Sequence, residues 1–364
     1  MKREVPMEAD NRLRRSGPFR AFCAKGHAPL SVDVECGTII VRREGEAVLR
    51  ASFAPGDIGR LSLAEPCRLP PDETLRAASA ALEAVLADAP AIKAIALDGD
   101  GWLGAEADML RSGFAIDAGG ERHVLPELFW QFPRFWLPAP PAEPYPQTHI
   151  LTNGQRHPRR APKPTGEVYA RHIPWLGQTL SFRALDIDTD LARFNRWMND
   201  PRVAYFWKEE GDLDKHRAYL GAIAADPHML TLIGCADGVP FSYFEIYWAK
   251  ENRLGPFYDA QDYDRGWHVL IGEDAFLGRH WITAWLPSLM HYIFLDDCRT
   301  QRIVGEPAAD HHQQIRNLQR SGFACVKHFD FPHKRAMLVM LLRERFFGDR
   351  LWAPNDAGEQ RRSA

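Results

Sequence analysis

The chain has 364 residues, 45% of them hydrophobic and 26% charged, with a formal net charge of −3. That balance supports a packed core, excludes wholesale disorder, and gives no global attraction to nucleic acid or an anionic membrane. No apolar run reaches the ~20 residues of a membrane span, and Met1 to Arg20 lack the apolar stretch of a secretory signal. Six cysteines (Cys23, Cys36, Cys67, Cys235, Cys298, Cys325) show no C-x-x-C spacing, which argues against a zinc site and a disulfide framework. A reduced, cytoplasmic enzyme without metal is expected, long enough for two domains.

In chain order, the first half offers the apolar strand Ala94-Ile-Ala-Leu97 and then Met109-Leu-Arg-Ser-Gly-Phe-Ala115. The latter returns 209 positions later as Leu318-Gln-Arg-Ser-Gly-Phe-Ala324, and at the same offset Ala94–Leu97 falls opposite Ile303-Val-Gly-Glu306. This predicts a duplicated fold. Asp310 falls opposite Gly101 and no His-bearing strand precedes it, so the first copy is expected to be degenerate and structural. Pro138-Ala-Pro-Pro-Ala-Glu-Pro-Tyr-Pro146 is too proline-rich for helix or central strand, and the basic stretch Asn153 to Pro164 carries no interleaved aromatics. Residues 138–172 are therefore expected to be a solvated linker.

The second half alternates element types. Leu180–Leu185 is predicted as a strand. A helix follows, capped by Asp188 or Thr189, with Leu191, Phe194, Trp197 and Met198 on one face. A second helix spans about Asp214 to Ala224, and Met229–Gly234 with Phe241–Trp248 forms a hairpin. The loop Lys250 to Gly266 is acidic and aromatic; its surface reading is solvated, its functional reading a wall for an ammonium-bearing acceptor. The strand Trp267-His-Val-Leu-Ile-Gly-Glu273 then runs into a turn and a helix from about Ile282 to Leu295, kinked or started late by Pro287. Such a helix N-terminus offers unpaired N–H groups to a phosphate-bearing ligand. Arg302–Gly305 is a strand, Asp310–Arg320 a helix with Asp310 suited to its N-cap, and Arg335–Leu342 a final strand. His311 and His312 point in different directions on a helix and do not make a metal pair.

Several ordered motifs carry a resemblance. Asp200-Pro-Arg-Val with Phe206-Trp207, His216-Arg-Ala-Tyr-Leu220, Glu245-Ile-Tyr-Trp-Ala249, Leu254-Gly255, Tyr258-Asp259, Gly266-Trp-His-Val-Leu-Ile-Gly-Glu273 and Gly305-Glu-Pro-Ala-Ala-Asp310 are the residues concerned. In that order they resemble the GNAT acyl-CoA N-acyltransferases, and within them the acyltransferases of hydroxamate siderophore assembly. The resemblance implies an α/β (α+β) GNAT fold with a degenerate N-terminal copy over 1–137. It further implies the linker 138–172, a catalytic domain over 173–350 and a flexible tail over 351–364. One departure is the pyrophosphate loop, where Ala275-Phe-Leu-Gly-Arg-His280 keeps only Gly278 of the usual glycine set, while Arg279 could add a contact to phosphate.

By the same resemblance no cofactor is held permanently and acyl-CoA, acetyl-CoA first, is the co-substrate. The acceptor is the hydroxylamine nitrogen of an N-hydroxylated amino acid (lysine, ornithine) or diamine. A siderophore synthetase would be a further partner, with no nucleic acid and no membrane. The nitrogen attacks the thioester directly, so the protein must align substrates, stabilise an oxyanion and manage one proton. The implied catalytic residues are His268, as base or nucleophile-positioning group, and Asp310, as its orienter, with Glu306 the next carboxylate in line. Leu270, Ile271, Gly278, Arg279 and His280 are expected at CoA, and Glu245, Tyr258, Asp259 and Trp267 at the acceptor. The competing readings are a GNAT enzyme of another amine, such as an aminoglycoside, and a non-catalytic CoA-binding scaffold.

Overall fold

Glu46-Ala-Val-Leu-Arg-Ala-Ser-Phe-Ala54 alternates buried and exposed side chains, the period of a strand covered on one face. It lies at the middle of an eight-stranded sheet in a computed structural model that describes residues 18–21, 28–35, 37–63 and 69–354. The chain divides into two units between Phe135 and Trp136.

The first unit contains β1 (Phe19–Ala21), β2 (Leu30–Glu35), β3 (Thr38–Arg43), β4 (Glu46–Ala54), β5 (Ile58–Leu63), α1 (Pro71–Asp88), β6 (Ala94–Asp98), α2 (Leu103–Ser112), β7 (Ala115–Ala118), β8 (Glu121–Val124) and α3 (Pro126–Phe129). Its sheet runs β1-β2-β3-β4-β5-β6-β8-β7, antiparallel except for β5–β6. The second unit opens with the hairpin β9 (His149–Thr152) and β10 (Gln155–Pro158), then β11 (Glu167–Ile173) and β12 (Gln178–Ala184). Three helices follow, α4 (Ile187–Met198), α5 (Pro201–Trp207) and α6 (Leu213–Ala225). After them come β13 (Met229–Ala236), β14 (Val239–Trp248), β15 (Arg265–Ile271), α7 (Arg279–Asp296), β16 (Arg302–Gly305), α8 (His312–Arg320), β17 (Ala324–Asp330), β18 (Arg335–Leu342) and α9 (Arg343–Gly348). Its eight-stranded sheet runs β11-β12-β13-β14-β15-β16-β18-β17, again with one parallel pair, β15–β16.

The two strand orders are the same, so the repeated heptapeptide marks a duplicated fold. In both copies it closes a helix on a glycine in the left-handed region, Gly113 (φ 83°) after α2 and Gly322 (φ 94°) after α8, and leads into β7 or β17. The copies differ in two places. Two residues separate β2 from β3, whereas α4, α5 and α6 stand between β12 and β13. And β5 pairs with β6 over five positions, Ile58↔Ala94 to Ser62↔Asp98, while β15 pairs with β16 over two, Arg265↔Ile303 and Gly266↔Val304. Past Gly266 the strands of the second copy diverge and leave a notch; in the first copy the equivalent seam is zipped shut.

Capping decides several boundaries. Asp186, two residues before the expected cap, accepts from Asp188 N and starts α4. Asp200 caps α5 with Pro201 at its first position, and Asp212 caps α6. α7 runs unbroken from Arg279 with Pro287 inside it, three residues earlier than expected. His311, not Asp310, caps α8, its side chain accepting from Gln314 N.

Segment 138–172 is not a linker throughout. β11 forms the edge strand of the sheet against β12, and Arg160 is buried, donating through Nε and Nη2 to Glu251 at 2.6 Å each. Its guanidinium stacks 4.2 Å from the Trp248 ring, and Lys163 Nζ donates to Ile223 O and Ala224 O at the end of α6. Arg160 and Lys163 are thus consumed within the fold, while Arg156 and Arg159 of the same stretch are exposed. Of the expected tail, Trp352 is buried and its carbonyl accepts from Arg171, while residues 355–364 lie outside the described residues, as do 1–17, Cys23, Cys36 and Cys67. Among the described residues no helix is long and apolar enough to cross a membrane.

The second sheet is covered on both faces. Leu191, Phe194, Trp197 and Met198 of α4, Val203 of α5 and Leu220 of α6 pack on Ile233, Tyr243 and Leu270. On the opposite face Phe182 packs on Phe244, which meets Trp285 of α7. A third cluster joins Tyr247, Leu254 and Val304 to Phe329 and Phe331 of the β17–β18 hairpin, at the side where the notch opens.

Candidate active site

Strand alternation puts Tyr243, Glu245 and Tyr247 of β14 on one face, directly beside His268 of β15, since Glu245 and His268 are register partners. His268 Nδ1 is 2.9 Å from Glu245 Oε2 and Nε2 is 3.1 Å from Glu306 Oε1. Each carboxylate is held in turn. Glu245 Oε1 accepts from Tyr219 OH of α6 (2.5 Å) and Tyr243 OH (2.9 Å), and Glu306 Oε2 accepts from Tyr247 OH (2.8 Å). Gly266 permits the last contact, because a Cβ there would sit 2.1 Å from the Tyr247 ring.

Both carboxylates are nearly inaccessible, whereas the His268 side chain is 25% exposed, so the imidazole is the member of the cluster that a substrate can touch. Burial by itself disfavours the imidazolium, but Glu245 and Glu306 outweigh it and hold His268 up at about 9. Burial likewise pushes Glu306 up, and His268, Lys334 and Tyr247 more than reverse this, to about 2. Glu245 follows the same balance and is held below the usual carboxylate range. At neutral pH the cluster is an imidazolium between two carboxylates.

The notch beside it has a defined polarity. Gly272 N donates to Phe241 O, so in the β14–β15 ladder the backbone groups of His268 and Leu270 face β14 and those of Val269 and Ile271 face the open edge. Two side chains of α5 cover that edge: Trp207 Nε1 donates to Val269 O (3.3 Å) and Arg202 Nη2 to Ile271 O (2.9 Å). At the far end of β15, Gly278 caps α7, and the first intrahelical bond runs from Ile282 N to Gly278 O. The N–H groups of the preceding first turn, that of Arg279 and His280, point outward there, with both side chains exposed.

These positions revise the expected site. His268 lies between Glu245 and Glu306, and its carboxylate partners do not include Asp310. Beyond Gly305 the chain continues irregularly along β18, through Met337 N to Pro307 O and Ala309 N to Arg335 O. Asp310 lies four residues past Glu306, in the turn closed by His311 N to Ala308 O. It is exposed, and among the described residues its carboxylate has no hydrogen-bond or ion-pair partner. Glu245, expected at the acceptor, has both oxygens engaged, one by Tyr219 and Tyr243 and the other by His268. Leu270 is buried in the core with its backbone turned to β14; Val269 takes its place at the notch. Trp267 is 8% exposed and packs against Trp285 on the α7 face, away from His268. Tyr258 donates to Asp264, which also binds Arg302, and Asp259 is exposed with its carbonyl on Arg302. Arg202, Trp207, Tyr219 and Tyr247 stand in the ordered motifs without a role of their own, and a backbone N–H of Val269 to Ile271 is the expected oxyanion donor; Tyr243 is outside those motifs, and the alternation Tyr243-x-Glu245-x-Tyr247 in an otherwise apolar strand was its available signal.

The GNAT acetyltransferase domain family matches residues 186–331. A protein of Escherichia coli named N(6)-hydroxylysine O-acetyltransferase is 44% identical over 222 residues, which cover 60% of this chain and 70% of that protein. The chain belongs to the GNAT acyltransferases. Two fungal relatives of this GNAT acyltransferase are similar to it over less of their length. A putative lysine N-acyltransferase of Schizosaccharomyces pombe is 43% identical over 220 residues, 60% of this chain and 65% of the relative. An N(5)-hydroxyornithine:cis-anhydromevalonyl coenzyme A-N(5)-transacylase of Beauveria bassiana is 49% identical over 196 residues, 52% of this chain and 43% of the relative. The diverging β15–β16 pair, the His268 cluster and the α7 N-terminus are accordingly parts of an acyltransferase that takes its acyl group from coenzyme A.

Proposed function

We propose that this acyltransferase carries an acyl group, acetyl first, from acyl-CoA to the hydroxylamine nitrogen of an N-hydroxylated lysine, ornithine or short diamine. The product is a hydroxamate, the iron-binding group of a siderophore. The observation that carries this reading is the 44% identity to a protein named for N6-hydroxylysine. The pyrophosphate is assigned to the first turn of α7 and the thioester carbonyl to the open edge of β15, where the N–H of Val269 or Ile271 would meet the oxyanion.

In this account the nitrogen lone pair attacks the thioester carbon, the C–N bond forms, and the carbonyl oxygen becomes an oxyanion. The attacked nitrogen is then acidic and must lose its proton. As the C–S bond breaks, the thiolate takes a proton from the His268 imidazolium. The imidazole so freed, the exposed member of the cluster, takes the proton of the nitrogen, so His268 serves as acid first and acceptor second while the buried Glu245 and Glu306 hold its charge.

The first unit, with its seam closed and no helices between β2 and β3, is assigned a structural role. The reaction is placed in the cytoplasm, where acyl-CoA is available, and an ATP-dependent synthetase would consume the hydroxamate. Thiol release from acetyl-CoA in the presence of N6-hydroxylysine tests the reading, with kanamycin as the competing acceptor. Turnover confined to kanamycin would sink it. A ferric-hydroxamate colour in the product separates N- from O-acylation, since an O-ester gives none.

A further inference from the structure

Of the loop carboxylates expected to receive an acceptor ammonium, Asp259 is exposed, whereas Asp262 and Asp264 are already paired. Asp262 accepts from His149 (2.7 Å) and Lys250, and Asp264 from Arg302 (2.6 Å) and Tyr258 (2.9 Å). The groups that flank the reacting end of the site are cationic. Arg253 Nη2 lies 3.4 Å from Glu306 Oε1, the same oxygen that His268 Nε2 touches at 3.1 Å. Guanidinium and imidazole are therefore no more than about 6.5 Å apart, the two distances laid end to end. Lys334, at the tip of the β17–β18 hairpin, donates to the Glu306 carbonyl (2.8 Å). Arg253 and Lys334 both lie near the Phe331 ring, at 5.7 and 5.6 Å, and both touch Glu306, one at its carboxylate and one at its carbonyl.

Neither cation is used up. The Arg253 side chain is 52% exposed, and among the described residues its only hydrogen-bond partner is that single long contact to Glu306, so most of its five N–H donors are open. Lys334 Nζ has one hydrogen-bond partner among the described residues and two donors in hand. The crowding of positive charge is felt by His333, stacked on Phe331 at 5.3 Å. Burial first, then Arg253, Lys334 and Lys208, hold it below the usual histidine value. This cationic patch adjoins Glu306, whereas the α7 N-terminus assigned to the CoA phosphates lies past the other end of β15, so the two are separate anion-binding places.

We propose that Arg253 and Lys334 form a receptor for the carboxylate of the acceptor, so that the enzyme prefers an N-hydroxylated α-amino acid to the corresponding diamine. The inference rests on the acyl-transfer reading above and names its substrate class. Dimensions agree: in extended lysine the side-chain nitrogen lies about 7.5 Å from the carboxyl carbon, and in ornithine about 6 Å. With the hydroxylamine nitrogen beside His268 and Glu306, the carboxylate reaches the outer N–H groups of Arg253. A planar guanidinium with donors to spare suits a carboxylate better than a point charge would.

The test compares kcat/KM, by thiol release from saturating acetyl-CoA, for N6-hydroxylysine and N-hydroxycadaverine, which differ by that carboxylate alone. N5-hydroxyornithine and N-hydroxyputrescine form a second such pair. The expected result is a preference of roughly 10- to 100-fold for the amino acid, carried mainly by KM. Arg253→Ala should bring the two values within about threefold by raising the KM of the amino acid, and Arg253→Lys, which keeps the charge, should retain part of the preference. Equal values in the unaltered enzyme, or an undiminished ratio in Arg253→Ala, would overturn the receptor while leaving acyl transfer standing. If none of the four hydroxylamines releases thiol, the acyl-transfer reading falls and this inference falls with it.

Discussion

Glu306→Gln removes one of the two negative charges that keep the His268 imidazole protonated, while preserving the side chain's size and an oxygen for Tyr247 to donate to. An opposite charge in direct contact raises a histidine by about 1–3 units. Without Glu306, His268 should therefore fall from about 9 toward about 6–8. At ~1.4 kcal/mol per unit, the pair is coupled by about 1.4–4 kcal/mol. An NMR titration of the ring Cε1–H signals, with His268 identified among the 14 histidines by its loss in His268→Ala, reads the shift directly. Glu245→Gln should act in the same direction through Nδ1, and Asp310→Asn should leave the His268 titration where it was. A midpoint still near 9 in Glu306→Gln, or a fall in Asp310→Asn, would refute the assignment of Glu306 as the histidine's partner.

Turnover should decline as pH rises through about 9, where the imidazolium is lost; a rate that climbs through that range would point to neutral His268 as the base. The stability linkage has two arms. His268, raised on folding, contributes fully below its ordinary value near 6.5 and loses that contribution as pH climbs through about 9. Glu306, depressed on folding, contributes above about 4.5 and loses its share as pH falls toward about 2, so urea midpoints should drop on both sides. Arg160→Met leaves the Glu251 carboxylate buried with only His157 at 3.3 Å, and should cost the second unit roughly 3–5 kcal/mol by chemical denaturation. Gly266→Ala puts a methyl against the Tyr247 ring, which should both destabilise the fold by roughly 1–3 kcal/mol and reduce turnover as Tyr247 is pushed off Glu306.

Local patterns made much of the second unit legible. The Asp237-Gly238 turn between two β-branched and aromatic runs announced β13 and β14, and the Leu191, Phe194, Trp197, Met198 stripe announced α4. The echo of Met109–Ala115 in Leu318–Ala324 exposed the duplication, because a left-handed glycine cap and the strand after it need the same residues twice. Long-range consequences were less accessible. No local signal says that Arg160, in a proline-rich basic stretch, finds a buried partner 91 positions away. Asp310 stood where a helix cap and a histidine partner were both plausible, yet the irregular run after Gly305 delivers Glu306 to the histidine and carries Asp310 past it. The acidic look of the 258–264 loop misled for a similar reason: Asp262 and Asp264 are paired with Lys250 and Arg302 from elsewhere in the chain.

The central claim, acyl transfer to a hydroxylamine nitrogen, is tested most directly by product analysis after incubation with acetyl-CoA and N6-hydroxylysine. The account predicts one equivalent of free CoA thiol per equivalent of ferric-hydroxamate-forming product, with the acetyl mass on the hydroxylated nitrogen. Thiol release with an O-acetyl product, or no release with any hydroxylamine, would contradict it.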